Sequence, residues 1–370
     1  MQPININRPK AAEITLHAQE KYFAGEVEAA LKLYVEAWSL CQDAIGAMNI
    51  AIAFEHLGDF ENALEWSERA YQMRPEDWRT RTCYGGNLIR EGRWEEAWQH
   101  WFPVIEKPFD GAGVEWKPGM DLTGKEVLVV PAGGYGDVFM LARYIPEVAK
   151  RFNCNVSFAP TEDMVPVFIT QPSMANVNIR EHRTWGVWMH LFHFPQLFQF
   201  TPEMVAADWK PYIEPVSLEG WEQDDIRVGI KLGAGEKGDL FKFRSVPGII
   251  GEELISGIEK RVTLVALTQS NPLVNNWLDT IALISSCDLI LSVDTATLHL
   301  AAAMGKETWA ILGDFNDPKY GKGDTMPWYP TMRVFRGKGS GYKHTVDQVL
   351  EAMGVWLLNS RRQSCRVATM

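Results

Sequence analysis

Through the first hundred residues, apolar positions recur every three or four residues in paired blocks, the spacing of amphipathic helices. Ala47–Leu57 and Phe60–Met73 read as two such helices, separated by Gly58-Asp59 and stopped by Pro75. Gly25, Gly58 and Gly92 stand 33 and 34 residues apart, and Ala30, Ala63 and Ala97 follow each glycine by five residues. The unit is therefore helix, short glycine turn, helix, with a small residue where two helices pack closely. One such pair cannot bury its own apolar face, so stacked copies are required. The spacing predicts a right-handed helical array over residues 1–107, separable from the rest of the chain.

The pattern changes after a stretch holding Pro108, Gly111, Gly113 and Pro118, which predicts a linker over 108–122. Beyond it, short apolar runs alternate with helical segments. Strands are expected at Glu126–Val130, Val156–Ala159, Val187–Leu191, Val228–Lys231, Val262–Leu267, Asp288–Val293 and Thr308–Leu312. Helices are expected at Val138–Arg151, Ile249–Lys260, Asn276–Ser286 and Ala296–Met304. Such alternation predicts parallel sheets covered on both faces. A break at 216–226 divides the region into halves at 123–215 and 227–358, with a cleft between the carboxyl ends of their strands. The last segment, 359–370, carries Arg361, Arg362 and Arg366 and is expected to be a disordered tail. The helical array resembles tetratricopeptide repeats. That resemblance implies either a concave groove for a peptide or protein partner, or a cap or dimerisation surface for the attached domains.

Composition narrows the class. With 46% hydrophobic and 22% charged residues the chain has the make-up of a folded soluble protein. No apolar run reaches the ~18–20 residues of a membrane span. The start, Met1-Gln-Pro-Ile-Asn-Ile-Asn, lacks a basic segment followed by an apolar one, so no secretory leader is expected. Five scattered cysteines without a CxxC spacing point to reduced thiols and a cytoplasmic setting. A net charge of −11 makes an extended nucleic-acid backbone a poor partner.

Three loops could carry chemistry. Ser292-Val-Asp-Thr-Ala-Thr-Leu-His299 joins a buried-looking strand to a helix. A helix starting there presents unpaired N–H groups and a positive dipole end, a site for phosphate. Asp294 and Thr295 suit its N-cap, and His299 falls one turn on, on the face of Thr295. In the first half, Gly133, Gly134 and Gly136 follow a strand and lead into a helix at Asp137, a turn that lets backbone approach a ligand closely. Asp137 either caps that helix or points into the cleft. In the second half, Lys231, Lys237, Lys242 and Arg244 gather positive charge in a glycine-rich loop, suited to a diphosphate or simply solvated. His190 and His193 read as packed or cleft-lining, since no third metal ligand lies near them in sequence. No acidic pair demands a divalent ion, so neither a metal nor a cofactor is expected.

Trp277 to Gly305, with its Ser-Val-Asp-Thr-Ala-Thr-Leu-His core, is similar to the nucleotide-sugar half of glycosyltransferase family 9, the heptosyltransferases. Trp328–Arg336 and the stretch Gly134-Tyr-Gly-Asp-Val138 with Ala142–Pro146 resemble the same family. The resemblance implies an α + α/β chain: repeats followed by a GT-B fold of two Rossmann-like domains. It implies metal-independent, usually inverting transfer of a sugar from a nucleotide-diphosphate sugar to an acceptor hydroxyl. By position, Asp137 matches the general base and Arg244 a phosphate-binding cation. Asp294, Thr295 and His299 match the set holding the donor's diphosphate and sugar. Thr268 and Gln269 fall where the nucleoside is contacted. Gly134, Gly136 and, less firmly, Lys231 and Lys242 complete the expected donor site. Gly-Gly-Tyr-Gly replaces the commoner Gly-Leu-Gly, and Lys231–Leu240 departs from the usual loop. The acceptor would be a glycan or protein, held by the repeat array; self-association is compatible with the repeats. The alternative is a repeat scaffold or binding protein whose GT-B body is catalytically silent.

Overall fold

The computed structural model describes residues 7–101, 113–179, 185–216, 225–235, 241–337 and 341–367. Among the described residues, six helices open the chain as three antiparallel pairs: α1 (Arg8–Phe23) with α2 (Val27–Leu40), α3 (Ala44–His56) with α4 (Phe60–Met73), and α5 (Trp78–Arg90) with α6 (Trp94–His100). Gly25, Gly58 and Gly92 turn each pair at φ of +86°, +73° and +79°. An added Cβ would meet nothing at any of the three, so it is the left-handed backbone, not crowding, that calls for glycine. Ala30, Ala63 and Ala97 are each 0% exposed, as small residues at a close-packed position would be. Asp43, Asp59 and Asp77 cap α3, α4 and α5 by accepting backbone N–H bonds at 2.7, 3.2 and 3.0 Å.

The array is not made of these helices alone. Asp314–Gly323 and Gly337–Gly341, expected inside the second α/β half, cluster with residues 1–104. Arg90, 3% exposed, donates to the Asn316 side chain at 2.9 Å and to its carbonyl at 2.6 Å. The Phe315 ring lies 3.9 Å from His56, and Pro318 packs where a Cβ on Gly86 would be 3.3 Å away. The sequence expectation of a self-sufficient array is corrected: a segment more than two hundred residues downstream packs against α3 and α5.

The second compact unit holds two parallel sheets. The first is built from β1 (Val114–Glu115), β2 (Glu126–Val130), β3 (Asn155–Phe158), β4 (Asn178–Ile179) and β5 (Val187–His190), in the order β1-β5-β2-β3-β4. Its helices are α7 (Tyr135–Ala142), α8 (Ile145–Phe152), α9 (Val165–Ile169), α10 (Phe194–Phe198) and α11 (Pro202–Ala207). The second sheet comprises β6 (Arg227–Lys231), β7 (Thr263–Ala266), β8 (Leu289–Ser292), β9 (Thr308–Leu312), β10 (Thr325–Met326) and β11 (Tyr329–Arg336). Its order is β10-β11-β9-β8-β6-β7, and all pairings are parallel except that of β10. Packed with it are α12 (Phe241–Arg244), α13 (Gly248–Ile258), α14 (Trp277–Ser285), α15 (Ala296–Ala303) and α16 (Tyr342–Val367). Val228, Leu289, Leu291 and Ile311 from this sheet share a core with Leu254, Ile258, Val346 and Val349.

The seven expected strands are all present within a residue or two. Three expectations are corrected. The single helix expected over Val138–Arg151 is two, because Pro146 has no N–H to continue a ladder and instead stands in the first turn of α8. Part of the expected linker, Val114–Glu115, is an edge strand of the first sheet. The expected disordered tail is helical as far as Val367. The break expected at 216–226 falls largely outside the described residues. No helix among the described residues is long and apolar enough to cross a membrane.

Candidate active site

In each sheet the strand order reverses once. The chain runs outward from β2 through β3 and β4, then returns to β5 on the other side of β2. In the second sheet β6 leads out to β7 and returns to β8 beside β6. At such a point the two loops diverge and leave a crevice beyond the carboxyl ends of the strands. Both glycine-rich loops and the Asp294 loop emerge at these two reversals.

On the second sheet, Lys231 pairs in register with Ser292, and the Val293 N–H donates to the Lys231 carbonyl at 2.9 Å. This fixes the end of β8 against the end of β6. Thr295 is the N-cap of α15 in extended conformation, yet its side chain makes no capping bond to the helix. Its hydroxyl pairs with Ser292 Oγ at 3.0 Å, which leaves the helix start to whatever binds there. Arg244, at the end of α12, donates to the Asp294 carbonyl at 2.7 Å and stands 3.1 Å from its carboxylate. His299 Nε2 lies 3.4 Å from the other carboxylate oxygen. Asp294 thus orients a guanidinium on one side and an imidazole on the other. His299 is 1% exposed, whereas the Arg244 side chain is 41% exposed and so open to solvent.

On the first sheet, Gly133 takes φ +72° directly after β2. A Cβ there would come within 2.6 Å of Phe192 and nearer still to the Asp137 carboxylate, so glycine is required on both counts. Asp137 Oδ2 accepts the Gly134 N–H at 2.9 Å and so caps α7 from its third position. The Gly134 amide, expected to face the donor, is engaged by this bond. Asp137 is half-buried.

The two halves meet at these loops. α7 packs on α15, and a Cβ on Gly136 would lie 2.7 Å from His299 Cδ2. Tyr212 donates to the Phe139 carbonyl at 2.6 Å and reaches the Tyr329 hydroxyl at 3.4 Å. Tyr329 is fully buried on β11, its ring 5.7 Å from His299. Burial above all, with Tyr212 and the Asp137 charge adding, holds its hydroxyl protonated far into alkaline pH. Trp277, at the start of α14, donates to Asp163 at 3.2 Å and sits 5.1 Å from both Tyr135 and Phe139. Arg143 donates to the carbonyls of Trp328 and Val205 at 3.2 and 2.9 Å.

Asp137, Gly136, Arg244, Asp294, Thr295 and His299 are thus gathered at the facing loops. Thr268 and Gln269 come after β7, the strand beside β6; the Thr268 hydroxyl bonds to Ser270 at 2.5 Å and Gln269 is exposed. Lys231 ends β6 half-buried, and burial lowers the pKa of its amine. Lys237 and the Lys242 side chain lie outside the described residues. Sequence reasoning missed the roles of Tyr212, Tyr329 and Ser292. Tyr212 and Tyr329 are buried polar groups defined by partners distant in the chain, and Ser292 is buried with its hydroxyl on Thr295, a pairing that spacing alone does not mark.

Residues 276–351 match glycosyltransferase family 9 (heptosyltransferase). The matched segment contains α14, β8, α15 and β11, and with them Asp294, Thr295 and His299. The chain is also similar to Protein FlbA of Caulobacter vibrioides, 23% identical over 90% of this chain and 63% of that protein. It therefore spans less than two thirds of that relative. A glycosyl transferase family 9 structure from Veillonella parvula covers 66% of this chain and 100% of its own, at 12% identity and TM-score 0.44. The TPR domain of Arabidopsis OM64 covers 25% of this chain and 78% of its own, at 21% identity and TM-score 0.25. The segment similar to family 9 thus follows three antiparallel helix pairs in the chain.

Proposed function

We propose that the chain is an inverting, metal-independent glycosyltransferase that moves a sugar from a nucleotide-diphosphate donor to an acceptor hydroxyl. The observation that carries this reading is the packing of Gly136, the neighbour of Asp137, against His299, which itself lies beside Asp294 and its partner Arg244. The diphosphate would lie at the α15 N-terminus, with Arg244 as its fixed cation. Thr268 and Gln269, past the end of β7, would meet the nucleoside. Asp137 would accept the acceptor proton as the new C–O bond forms and the bond to the diphosphate breaks. The charge growing on the leaving diphosphate is then met by groups already in place, so little reorganisation is needed during reaction.

The acceptor would be a glycan or a protein. A hollow of about 400 Å³ at the first repeats, lined by Arg8, Thr15, Tyr34, Trp38, Asp43 and Asn49, offers aromatic and polar groups for holding a polypeptide. The test is a screen of ADP-, UDP-, GDP- and TDP-sugars for thermal stabilisation, followed by donor turnover with cell lysate as acceptor source. Donor-specific stabilisation with turnover supports the reading. Stabilisation without turnover favours the silent scaffold, and release of free sugar without acceptor favours a hydrolase.

A further inference from the structure

We propose that Glu115, His190 and His193 form a binding site for one divalent transition-metal ion of the zinc class. The three residues come from separate stretches of the first sheet. Glu115 is on edge strand β1, where it pairs in register with Trp188 of β5. His190 ends β5, and His193 ends the adjoining 3-10 turn Leu191–His193. One ligand atom from each residue lies within 4.8 Å of the others. His193 Nε2 stands 3.6 Å from Glu115 Oε1, and the two imidazole rings are 3.7 Å apart with 26° between their planes.

Two imidazoles and one carboxylate form the donor set of open zinc sites, in which a water takes the fourth position. Here the open side is available, since the Glu115 and His193 side chains are 43% and 16% exposed while His190 is buried. Among the described residues, buried His190 Nδ1 has no hydrogen-bond partner, so no existing bond is lost if it takes a ligand. Ligands around one zinc ion stand closer together than 4.8 Å, so the three must draw in. His193 must also turn its ring, giving up the 3.2 Å bond that its Nδ1 accepts from the His190 N–H. The 3-10 turn between the two histidines is the element that moves.

An ion held there ties β1 to the carboxyl end of β5 and fixes the turn that carries Phe192. Phe192 lies against Gly133, so the ion would brace the glycine-rich loop from beneath. The role is structural, and the site stands whether or not the chain transfers sugar.

The test uses the full chain, stripped with a chelator and titrated by calorimetry with Zn²⁺, and with Co²⁺ followed by its visible absorption. One saturable equivalent is expected, with an imidazole–carboxylate cobalt spectrum lacking a thiolate band, and a higher melting temperature when loaded. Loss of an outer partner of a metal site costs 10–100-fold in affinity, so loss of a ligand should cost roughly 100-fold or more. Glu115→Gln and His193→Gln change partly exposed side chains, and their unloaded melting temperatures report whether they fold. The proposal is overturned if the wild-type chain shows no one-to-one binding, if a thiolate band appears, or if both folded variants bind as tightly as the wild type.

Discussion

Gly136 and His299 come from different α/β halves, yet they pack so closely that a β-carbon at 136 would lie 2.7 Å from the imidazole. The contact links the segment bearing Asp137 to the imidazole that Asp294 orients. Gly136→Ala must therefore push α7 from α15 or turn the histidine. Overpacking of this kind costs ~1–3 kcal/mol. We expect a lower melting temperature together with weaker nucleotide binding. A variant that loses neither would show that the halves do not depend on this contact.

Arg244 is held in place by two bonds to Asp294, its carbonyl and its carboxylate. Arg244→Ala should weaken nucleoside-diphosphate binding by about 1.5–3 kcal/mol, the range for a hydrogen bond to a charged group. Arg244→Lys should recover only part of the loss, because an ammonium cannot serve the carbonyl, the carboxylate and a phosphate with one planar fork. Equal calorimetric affinity for wild type and Arg244→Ala would remove the guanidinium from the donor site.

Asp137 caps α7 through the Gly134 N–H, so its role as a base must be separated from its role in the helix. Asn accepts the same bond and caps nearly as well as Asp. Asp137→Asn should then leave the melting temperature and donor affinity close to wild type while lowering turnover by about 10²–10⁴. Normal turnover in the folded variant would reduce Asp137 to a cap.

Features fixed by local chemistry were legible in the sequence. The turn glycines and the alanines five residues after them marked the repeats, and the left-handed φ and full burial at those positions are the physical reason. The Asp294 loop was legible because a capping pair sits directly between an apolar strand and a helix. What escaped depends on pairing across distance. Glu115 lies in a two-residue strand within a Pro- and Gly-rich stretch, and only its parallel pairing with β5 brings it to His190. Phe315 and Asn316 fall in what reads as a surface loop, yet they pair with His56 and Arg90. Neither polarity nor periodicity of the loop announces that destination.

The packing of Asp314–Gly323 on the repeats makes truncation informative. Tyr320 is 0% exposed and clusters with the repeat helices, as does Phe315. A chain beginning at Gly113 would lose the partners of both. We expect it to bind a hydrophobic dye, and to melt at a lower temperature or aggregate. Melting indistinguishable from the full chain would show that Asp314–Gly323 is stable without the repeats.

His56 supplies a pH dependence with a definite sign. It is 4% exposed, its Nε2 lies 2.7 Å from the Tyr22 hydroxyl, and its ring faces Phe315. Burial, aided by the nearby Arg90 charge, lowers its pKa from 6.5 to about 3. Between those values the unfolded chain takes up a proton that the folded chain refuses. The contribution of His56 is therefore fully present above pH 6.5 and is lost as pH falls toward 3. The slope for one such group is at most ~1.4 kcal/mol per pH unit. His56→Gln keeps an acceptor for Tyr22 but cannot titrate, and every carboxylate is common to both proteins. Denaturant unfolding from pH 7.5 to 4 should show the wild-type stability falling more steeply, by about 1–3 kcal/mol over that span. Parallel curves would mean that water reaches His56 and that the segment bearing Phe315 does not seal the array.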